Sequence, residues 1–465
     1  MTDINAVLGA ADKALDQSLG RLFDLIRIPS ISTDPAYKAD CRRAGERIVA
    51  DLAALGFDAS LRETAGHPMV VAHFAPKDTE GKVPHFLFYG HYDVQPPDPL
   101  DKWMTPPFEP QKRTGKDGVV RLYGRGTADD KGQLQTFIEA MRAWITETGS
   151  LPIKATLLIE GEEESGSPSL IPFLKENKEE LACDAAFVCD TNMWDAKTPA
   201  ITTRLRGIVK DEITITGPRI DLHSGAYGGP AANPLRILSK LLSKLHDKNG
   251  KVTIPGFYDG VSDLPKEMKA QWSRLKFSDK KFLKEVGLSV PAGEKGKSVL
   301  EQVWARPTAE VNGIWGGYTG AGTKTVIPSE AHAKLTFRLV GKQNPQKILK
   351  AFRAFAKAEV PKDCKVTFAS YGAGSPATEI AETSHLIRKS AQALKDEWGR
   401  ETALIGSGGS IPIVRCFKDI LGMDSVLVGF GLNDDALHSP NEKYNLASFH
   451  RGIRSWVRIL AAVGR

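Results

Sequence analysis

Leu-Tyr-Gly-Arg-Gly-Thr-Ala-Asp-Asp-Lys-Gly, residues 122–132, separates two different hydrophobic patterns. An apolar segment at residues 119–123 leads into it, and apolar residues at helical spacing follow from residue 134 to residue 145. This order predicts a strand, a loop and a helix, with Asp129 and Asp130 at the start of the helix. Carboxylates at this place are typical of helix N-caps, so on these residues alone an N-cap explains them as well as a ligand site does.

Four other apolar segments also lead into residues that commonly bind metals. Residues 84–89 precede His91 and Asp93, residues 153–159 precede Glu163 and Glu164, residues 185–189 precede Asp190, and residues 425–430 precede His438. In an open α/β sheet, ligands bind outside the carboxyl ends of parallel strands, so side chains that follow separate strands can meet in one crevice. The sequence therefore predicts an α/β domain with a mostly parallel central sheet flanked by helices, and one site built from five segments.

The composition is that of an ordinary globular protein. The chain has 465 residues, enough for two or three domains, and is 41% hydrophobic and 25% charged. The net charge of +6 comes from Lys and Arg spread along the chain without a basic run, which argues against a nucleic-acid partner. No signal peptide and no apolar run of ~18 residues is evident, so we expect a cytoplasmic protein that does not bind membranes. The five cysteines lack Cys-x-x-Cys spacing and are expected to be reduced and outside any metal site.

The hydrophobic pattern changes at residue 207. Polar and apolar residues alternate over residues 207–217, which predicts a half-exposed antiparallel strand. Further elements are predicted as a helix at 233–245, strands at 309–315 and 331–340, a helix at 345–358 and a strand at 365–371. This β-α-β-β-α-β order is the ferredoxin-like arrangement. We therefore predict a catalytic domain over 1–206 and 376–465, interrupted by an inserted α+β domain over 207–375.

The candidate ligands form a mixed nitrogen and oxygen set. They are His91, Asp129, Glu164, Asp190 and His438. Such a set suits Zn²⁺, with Mn²⁺ or Co²⁺ as alternatives. One catalytic zinc with an open water position needs fewer ligands, so we predict two metal ions ~3.5–4 Å apart that share one carboxylate, which we assign to Asp129.

Glu163 is the candidate general base. It lies next to a predicted ligand, where it can take a proton from a metal-bound water whose pKa falls to about 7. It can later pass that proton to the leaving amine. The alternative for residues 162–164 is a solvated acidic loop.

Seven segments together resemble a known family. The family is that of the di-zinc peptidases and deacylases, which includes carnosinase, cytosolic non-specific dipeptidase, glutamate carboxypeptidase, acetylornithine deacetylase and succinyl-diaminopimelate desuccinylase. The segments are residues 90–96, 124–132, 163–166, 221–225, 324–328, 408–412 and 438–442. The likeness covers nearly the whole chain and is closest to the carnosinase-like dipeptidases. It implies hydrolysis of the amide bond of dipeptides or similar small substrates, and a lid and dimerisation role for the inserted domain.

The resemblance also implies a role for each candidate residue of the catalytic domain. One metal ion would be held by His91, Asp129 and Asp190, and the other by Asp129, Glu164 and His438. Glu163 would be the general base, and Asp93 would orient His91 by accepting from its other ring nitrogen. The peptide bond that follows Asp129 would be cis.

On the inserted domain, the resemblance implies substrate contacts and a shared site. His223 would reach the site of a neighbouring subunit and stabilise the oxyanion, so a homodimer is expected. Arg338 and Thr325 would contact the carboxylate end of the substrate, and Gly409 and Ser410 would form a substrate-binding loop. The alternative for Arg338 is an exposed strand residue without a function. The role of residues 250–302, which follow the first helix of this domain, is not predicted.

One position departs from the carnosinase-like members. They carry an acidic residue just before the Gly-Gly-Ser-Ile-Pro segment, and it pairs with the free amine of the substrate, whereas this chain has Ser407. Loss of that carboxylate removes a charge-assisted hydrogen bond, so N-acyl amino acids become an alternative substrate class. We therefore predict a dipeptidase, with an N-acyl amino acid deacylase as the alternative. The intact ligand set and Glu163 argue against a third possibility, a non-catalytic binding protein.

Overall fold

The structure is a computed structural model and describes residues 3–76 and 83–464. The chain divides into two compact units. The first comprises Met1–Thr203, Ile380–Ile405 and Cys416–Arg465, and the second comprises Arg204–Glu379 and Gly406–Arg415. The second unit thus includes residues 406–415, which the sequence analysis assigned to the catalytic domain. The roles given to the two domains stay predictions.

The secondary structure of the described residues contains both helices and strands. The strands are β1 (Asp58–Arg62), β2 (Met69–Phe74), β3 (His85–His91), β4 (Gln111–Thr114), β5 (Val120–Tyr123), β6 (Lys154–Glu160), β7 (Ala185–Val188), β8 (Ala200–Leu205), β9 (Gly207–Thr216), β10 (Leu222–His223), β11 (Thr308–Gly316), β12 (Val326–Ile327), β13 (Glu330–Leu339), β14 (Lys365–Ser370), β15 (Thr378–Glu379), β16 (Ala403–Ser407), β17 (Asp424–Val428) and β18 (Lys443–Asn445). The helices are α1 (Ile4–Lys13), α2 (Leu15–Ile26), α3 (Lys38–Ala53), α4 (Lys131–Thr148), α5 (Leu170–Glu176), α6 (Lys178–Leu181), α7 (Ser224–Tyr227), α8 (Pro234–Ser243), α9 (Lys266–Arg274), α10 (Asp279–Glu285), α11 (Val299–Trp304), α12 (Pro345–Glu359), α13 (His385–Trp398), α14 (Pro412–Cys416) and α15 (Leu446–Val463). Within the described ranges, no helix is both long enough and apolar enough to cross a membrane.

The first unit is built on a mixed sheet. Its strands lie in the order β1-β2-β6-β3-β7-β17-β8. The four central strands, β6, β3, β7 and β17, are parallel, and the outer pairings are antiparallel. Strands β3 and β7 are almost wholly buried because helices cover them, which explains their continuous apolar sequence. The predicted α/β class with a largely parallel centre is confirmed.

An aromatic cluster forms the core on one face of this sheet. Trp456 of helix α15 has edge contacts with Phe88 of β3 and Phe187 of β7, at ring-centroid distances of 5.9 and 5.7 Å. Phe137 of helix α4 contacts both Phe88 and Trp456. Aromatic pairs of this kind add to the free energy gained by burial, so helices α4 and α15 are fixed firmly against the strands that lead to the ligands.

The strand that precedes Asp129 lies outside this sheet. Strand β5 belongs to a separate antiparallel sheet with the order β18-β5-β4. The prediction that the strand before Asp129 lies among the parallel strands of the main sheet is therefore wrong. Only Leu122 of this strand is fully buried, whereas true central strands of the main sheet are buried along nearly their whole length. The pairing of β5 with β18 explains how Asp129 still reaches the same end of the molecule as the segment around His438.

The second unit has the β-α-β-β-α-β order that the sequence predicts. Its four-stranded sheet has the antiparallel order β11-β13-β9-β14, the ferredoxin-like arrangement. Helices α8 and α12 pack on one face, where every second residue of β9 and β13 is buried. The segment between α8 and β11, for which no role was predicted, contains the three short helices α9, α10 and α11.

Candidate metal centre

The five predicted ligands lie together in two overlapping groups. Ligand atoms of His91, Asp129 and Asp190 lie within 4.8 Å of one another, and so do those of Asp129, Glu164 and His438. Asp129 is common to both groups. Its Oδ1 lies 3.3 Å from His91 Nε2, and its Oδ2 lies 3.0 Å from His438 Nε2. A carboxylate placed between two imidazoles in this way has the geometry of a bridge between two metal ions.

Four neighbouring parallel strands position four of these ligands. His91 is the last residue of β3, and Glu164 lies in a 3₁₀ turn, Glu163–Ser165, just after β6. Asp190 follows β7, and the segment with His438 follows β17. The carboxyl ends of parallel strands lie on one edge of a sheet, which is why residues far apart in sequence converge here.

The donor atoms of this site fit metal ions. His91 Nε2 and Glu164 Oε1 are buried and have no hydrogen-bond partner within the described residues. Buried polar atoms are normally satisfied, so these two atoms need an additional partner. Three carboxylates and two imidazoles, without a thiolate, are the donors that Zn²⁺ and similar divalent ions take. A divalent ion in each group would satisfy both atoms and neutralise the carboxylates.

The electrostatics of the site also favour cations. Burial raises the pKa of Asp190 well above its ordinary value, and the charge of Asp129 adds to this. Burial likewise raises the pKa of Glu163 to about 7. Hydrogen bonds to Asp129 and Glu164 raise the pKa of His438 to about 10. Because metal ligands must be deprotonated, metal binding at pH 7 has to release a proton from His438.

The N-cap explanation of the Asp129–Asp130 pair is not what the structure shows. Helix α4 begins after Asp130, but no side chain caps it. Instead Asp130 Oδ2 accepts the backbone N–H of His91 at 3.1 Å. The Asp129–Asp130 peptide bond is cis, as the family resemblance implied. The two carboxylates therefore contact residues of the candidate site rather than the helix terminus.

The predicted residues of the second unit form two groups. In one, Arg338 Nη1 donates to Ser410 Oγ at 3.2 Å, and the backbone N–H of Arg206 donates to the carbonyl of Gly409 at 3.1 Å. Arg206 also donates from Nε to the carbonyl of Gly408 at 3.0 Å. Arg338 is half-buried rather than an exposed strand residue.

The other group contains His223 and Thr325. Strand β10 pairs His223 with Val326, and the carbonyl of Thr325 accepts the N–H of Ser224 at 3.0 Å. His223 is exposed, and its Nδ1 accepts the N–H of Gly225 at 3.0 Å. In the neutral ring this leaves the proton on Nε2, so His223 presents a hydrogen-bond donor to solvent.

Comparison with known proteins identifies the family. Residues 87–462 match the peptidase family M20/M25/M40. The chain belongs to this family. It is 32% identical to the Cys-Gly metallodipeptidase DUG1 of Candida albicans, over 94% of this chain and 92% of that protein. The crystal structure of human carnosine dipeptidase 1 is similar with a TM-score of 0.81 and 26% identity, covering 100% of this chain and 99% of that one. The M20 family metallo-carboxypeptidase Sso-CP2 of Sulfolobus solfataricus is similar with a TM-score of 0.80 and 28% identity, covering 96% and 99%.

In this M20/M25/M40 peptidase, Asp93 holds more than one part of the site. His91 Nδ1 donates to the backbone carbonyl of Asp93 at 3.1 Å and lies 3.3 Å from its Oδ1, and both contacts suit a residue that orients the imidazole. The same carboxylate accepts the backbone N–H groups of Glu163 at 3.2 Å and Glu164 at 3.0 Å. Asp93 therefore also fixes the loop that carries the candidate base, a role that the sequence analysis missed because it depends on tertiary contacts.

Two acidic residues near the site have structural roles that sequence patterns did not reveal. Glu162 is buried, and its carboxylate accepts the N–H of His67 at 2.8 Å and of Ser169 at 3.1 Å. Glu160 accepts the hydroxyl of Tyr89 at 2.7 Å, and burial raises its pKa to about 7. The solvated acidic loop considered for residues 162–164 is thus wrong for Glu162. Glu162 instead ties the loop to two neighbouring segments.

Replacement of the shared ligand gives the first testable prediction for this M20/M25/M40 peptidase. Asp129→Ala should lose both metal ions, because its carboxylate belongs to both ligand groups. Asp190→Ala removes a ligand from only one group and should mainly weaken one site, so it serves as the matched control. Metal analysis of the purified variants measures both effects. Two full equivalents in Asp129→Ala would rule out the bridging role.

Proposed function

We propose that this chain is a metal-dependent dipeptidase that hydrolyses the peptide bond of dipeptides or similar small substrates. The observation that carries the proposal is the pair of ligand groups that share Asp129, with Glu163 beside them. The chain also matches a Cys-Gly metallodipeptidase and a carnosine dipeptidase along more than nine-tenths of its length. The donor set suits two Zn²⁺ ions per subunit, with Mn²⁺ or Co²⁺ as alternatives.

In the proposed reaction Glu163 transfers the proton, and the metal ions supply the electrostatic activation. When bound, the metal ions polarise the scissile carbonyl and acidify a water molecule. Glu163 takes the proton of that water and delivers it to the leaving amine. Its pKa, raised to about 7 by burial, suits a group that accepts and donates a proton near neutral pH. The hydrogen bond from its backbone to Asp93 keeps it next to the ligand loop.

Arg338 is our proposed contact for the carboxylate end of the substrate. Among the described residues its guanidinium donates only to a neutral hydroxyl, that of Ser410. Burial lowers the pKa of Arg338, and it forms no ion pair with a carboxylate of the described residues, so its charge can pair with an incoming carboxylate. Gly409 and Ser410 supply the adjoining loop, and Thr325 is the further proposed contact.

A homodimer formed through the second unit is the proposed assembly. Strand β11 is an edge strand, on which Val311, Ile314 and Trp315 are exposed by 43%, 51% and 40%. Exposed apolar edge strands pair readily with another chain, and a two-fold interface covers both copies at once. In such a dimer we propose that the Nε2–H of His223 stabilises the oxyanion in the partner's site. A cytoplasmic location stays a prediction from the sequence.

An N-acyl amino acid deacylase is the second candidate function, favoured by the chemistry at Ser407. This residue is neutral, and its hydroxyl accepts the N–H of Gly409 at 3.1 Å. It therefore offers no charge to pair with a free substrate amine.

Matched substrates distinguish the two functions. The protein is stripped with a chelator, reloaded with Zn²⁺, Mn²⁺ or Co²⁺, and assayed on the free dipeptides Cys-Gly and β-Ala-His and on the N-acyl amino acids N-acetylcysteine and N-acetylhistidine. We expect hydrolysis of the free dipeptides that disappears on chelation and returns with metal. Faster release of acetate from the N-acyl amino acids than of amino acids from the dipeptides would favour the deacylase. Failure to cleave either class of substrate with any of the metals would contradict the proposed function.

A further inference from the structure

The carboxylate of Glu442 lies at the centre of the loop that delivers Asp129. Glu442 is completely buried, and its Oε1 accepts the backbone N–H groups of Ala128 at 2.9 Å and Asp129 at 3.1 Å. Its Oε2 accepts the N–H of Gly126 at 2.9 Å and Nη1 of Arg125 at 2.9 Å. One side chain thus makes four hydrogen bonds to a single short segment, and one of them is to the shared ligand itself.

The backbone around Glu442 joins the same loop to the segment of His438. The carbonyl of Glu442 accepts the N–H of Gly124 at 3.1 Å, and the next residue, Lys443, pairs with Tyr123 of strand β5. His438 lies only a few residues earlier, in a loop closed where the N–H of Lys443 donates to the carbonyl of Asp435 at 3.0 Å. Two ligand-bearing segments that are far apart in sequence are therefore held together at Glu442.

These bonds depend on an ionised carboxylate. Burial raises the pKa of Glu442 to about 7, and Arg125 and the backbone donors oppose that shift. Charge-assisted hydrogen bonds of this kind are roughly twice as strong as neutral ones. A glutamine at this position would put an N–H₂ group in place of one carboxylate oxygen, and each of those oxygens accepts two donors. Two hydrogen bonds would be lost, and the N–H₂ group would face at least one backbone N–H.

We propose that Glu442 is a positioning residue for the metal centre, which fixes the bridging Asp129 relative to His438. Its loss then weakens metal binding in both ligand groups, in addition to any effect on folding. The inference rests on the proposed metal centre. Glu442 belongs to neither ligand group and would act through its hydrogen bond to the backbone of Asp129.

The test compares two equally buried carboxylates. Glu442→Gln is the variant, and Glu139→Gln is the control, because Glu139 is also buried and pairs with an arginine, accepting Nε of Arg21 at 2.7 Å. Zn²⁺ dissociation constants are measured by competition with a chelator, and unfolding temperatures are measured on the metal-free proteins. We expect Glu442→Gln to bind Zn²⁺ ~10–100-fold more weakly than wild type, the usual effect of removing a group that orients a ligand. The control should lose stability but keep its metal affinity.

Each outcome decides the proposal. Equal Zn²⁺ affinity in Glu442→Gln and wild type would overturn it, as would an equal loss in Glu139→Gln. If Glu442→Gln does not fold, the comparison is made with Glu442→Asp. Aspartate keeps the charge but is too short to reach all four donors, so the Zn²⁺ affinity of this variant should also fall. Absence of Zn²⁺ binding by wild type would instead refute the metal centre, so the two failures are distinguishable.

Discussion

Glu163→Gln should keep both metal ions and lose ~10²–10⁴-fold in kcat, the usual effect of removing a general base. Glutamine preserves the size of the side chain and the backbone hydrogen bond to Asp93, but it cannot accept a proton. Because Glu163 lies outside both ligand groups, the metal content should not change. The measurements are kcat and metal equivalents on the same preparation.

The adjacent residue provides the matched control for this prediction. Glu164 belongs to the group with Asp129 and His438, and its Oε1 lies 3.3 Å from His438 Nε2. Glu164→Gln should therefore lose metal first, and excess metal should restore part of its activity. If Glu163→Gln loses metal while Glu164→Gln keeps it, the base and the ligand have been interchanged in our assignment.

His223→Ala should lose ~10²–10³-fold in kcat, the range found when one oxyanion donor is removed, and should retain its metal ions. His223 lies in the second unit and is exposed, and because its Nδ1 accepts the N–H of Gly225, a neutral ring carries its proton on Nε2. If it serves the partner subunit, inactive His223→Ala and inactive Glu163→Ala should complement each other after unfolding and joint reassembly. Random pairing makes about half of the dimers mixed, with one intact site in each, so roughly a quarter of wild-type activity should return.

A reciprocal mixture controls for that experiment. Wild type is reassembled with the double variant Glu163→Ala, His223→Ala. If His223 acts across the interface, mixed dimers have no intact site and about a quarter of the activity remains, whereas a local His223 would leave about half. No recovery in the first mixture together with half in the second would show that His223 serves its own subunit.

Much of the site could be predicted because its ligands follow buried strands. The parallel strands β3, β6, β7 and β17 are continuous apolar runs, and the polar residues after them are conspicuous in the sequence. The elements of the inserted domain could also be predicted from the sequence. Every second residue of β9 and β13 is buried, so polar and apolar residues alternate along both strands.

Other features could not be predicted because they depend on contacts between distant segments. Strand β5 pairs with β18, and nothing in its own four residues specifies that partner over the main sheet. The sequence around Glu442 likewise does not indicate that its carboxylate binds Arg125. The hydrogen bond between Asp93 and the backbone of Glu163 could not be predicted either. Local patterns report burial and periodicity, whereas these hydrogen bonds exist only once the fold brings the segments together.

The dinuclear centre bridged by Asp129 is the central claim, and anomalous diffraction from crystals of the zinc-loaded protein tests it most directly. We expect two zinc peaks ~3.5–4 Å apart, the spacing of two-metal sites. One peak should lie against His91 and Asp190, the other against Glu164 and His438, with Asp129 bound to both. A single peak, or two peaks of which only one contacts Asp129, would contradict the account.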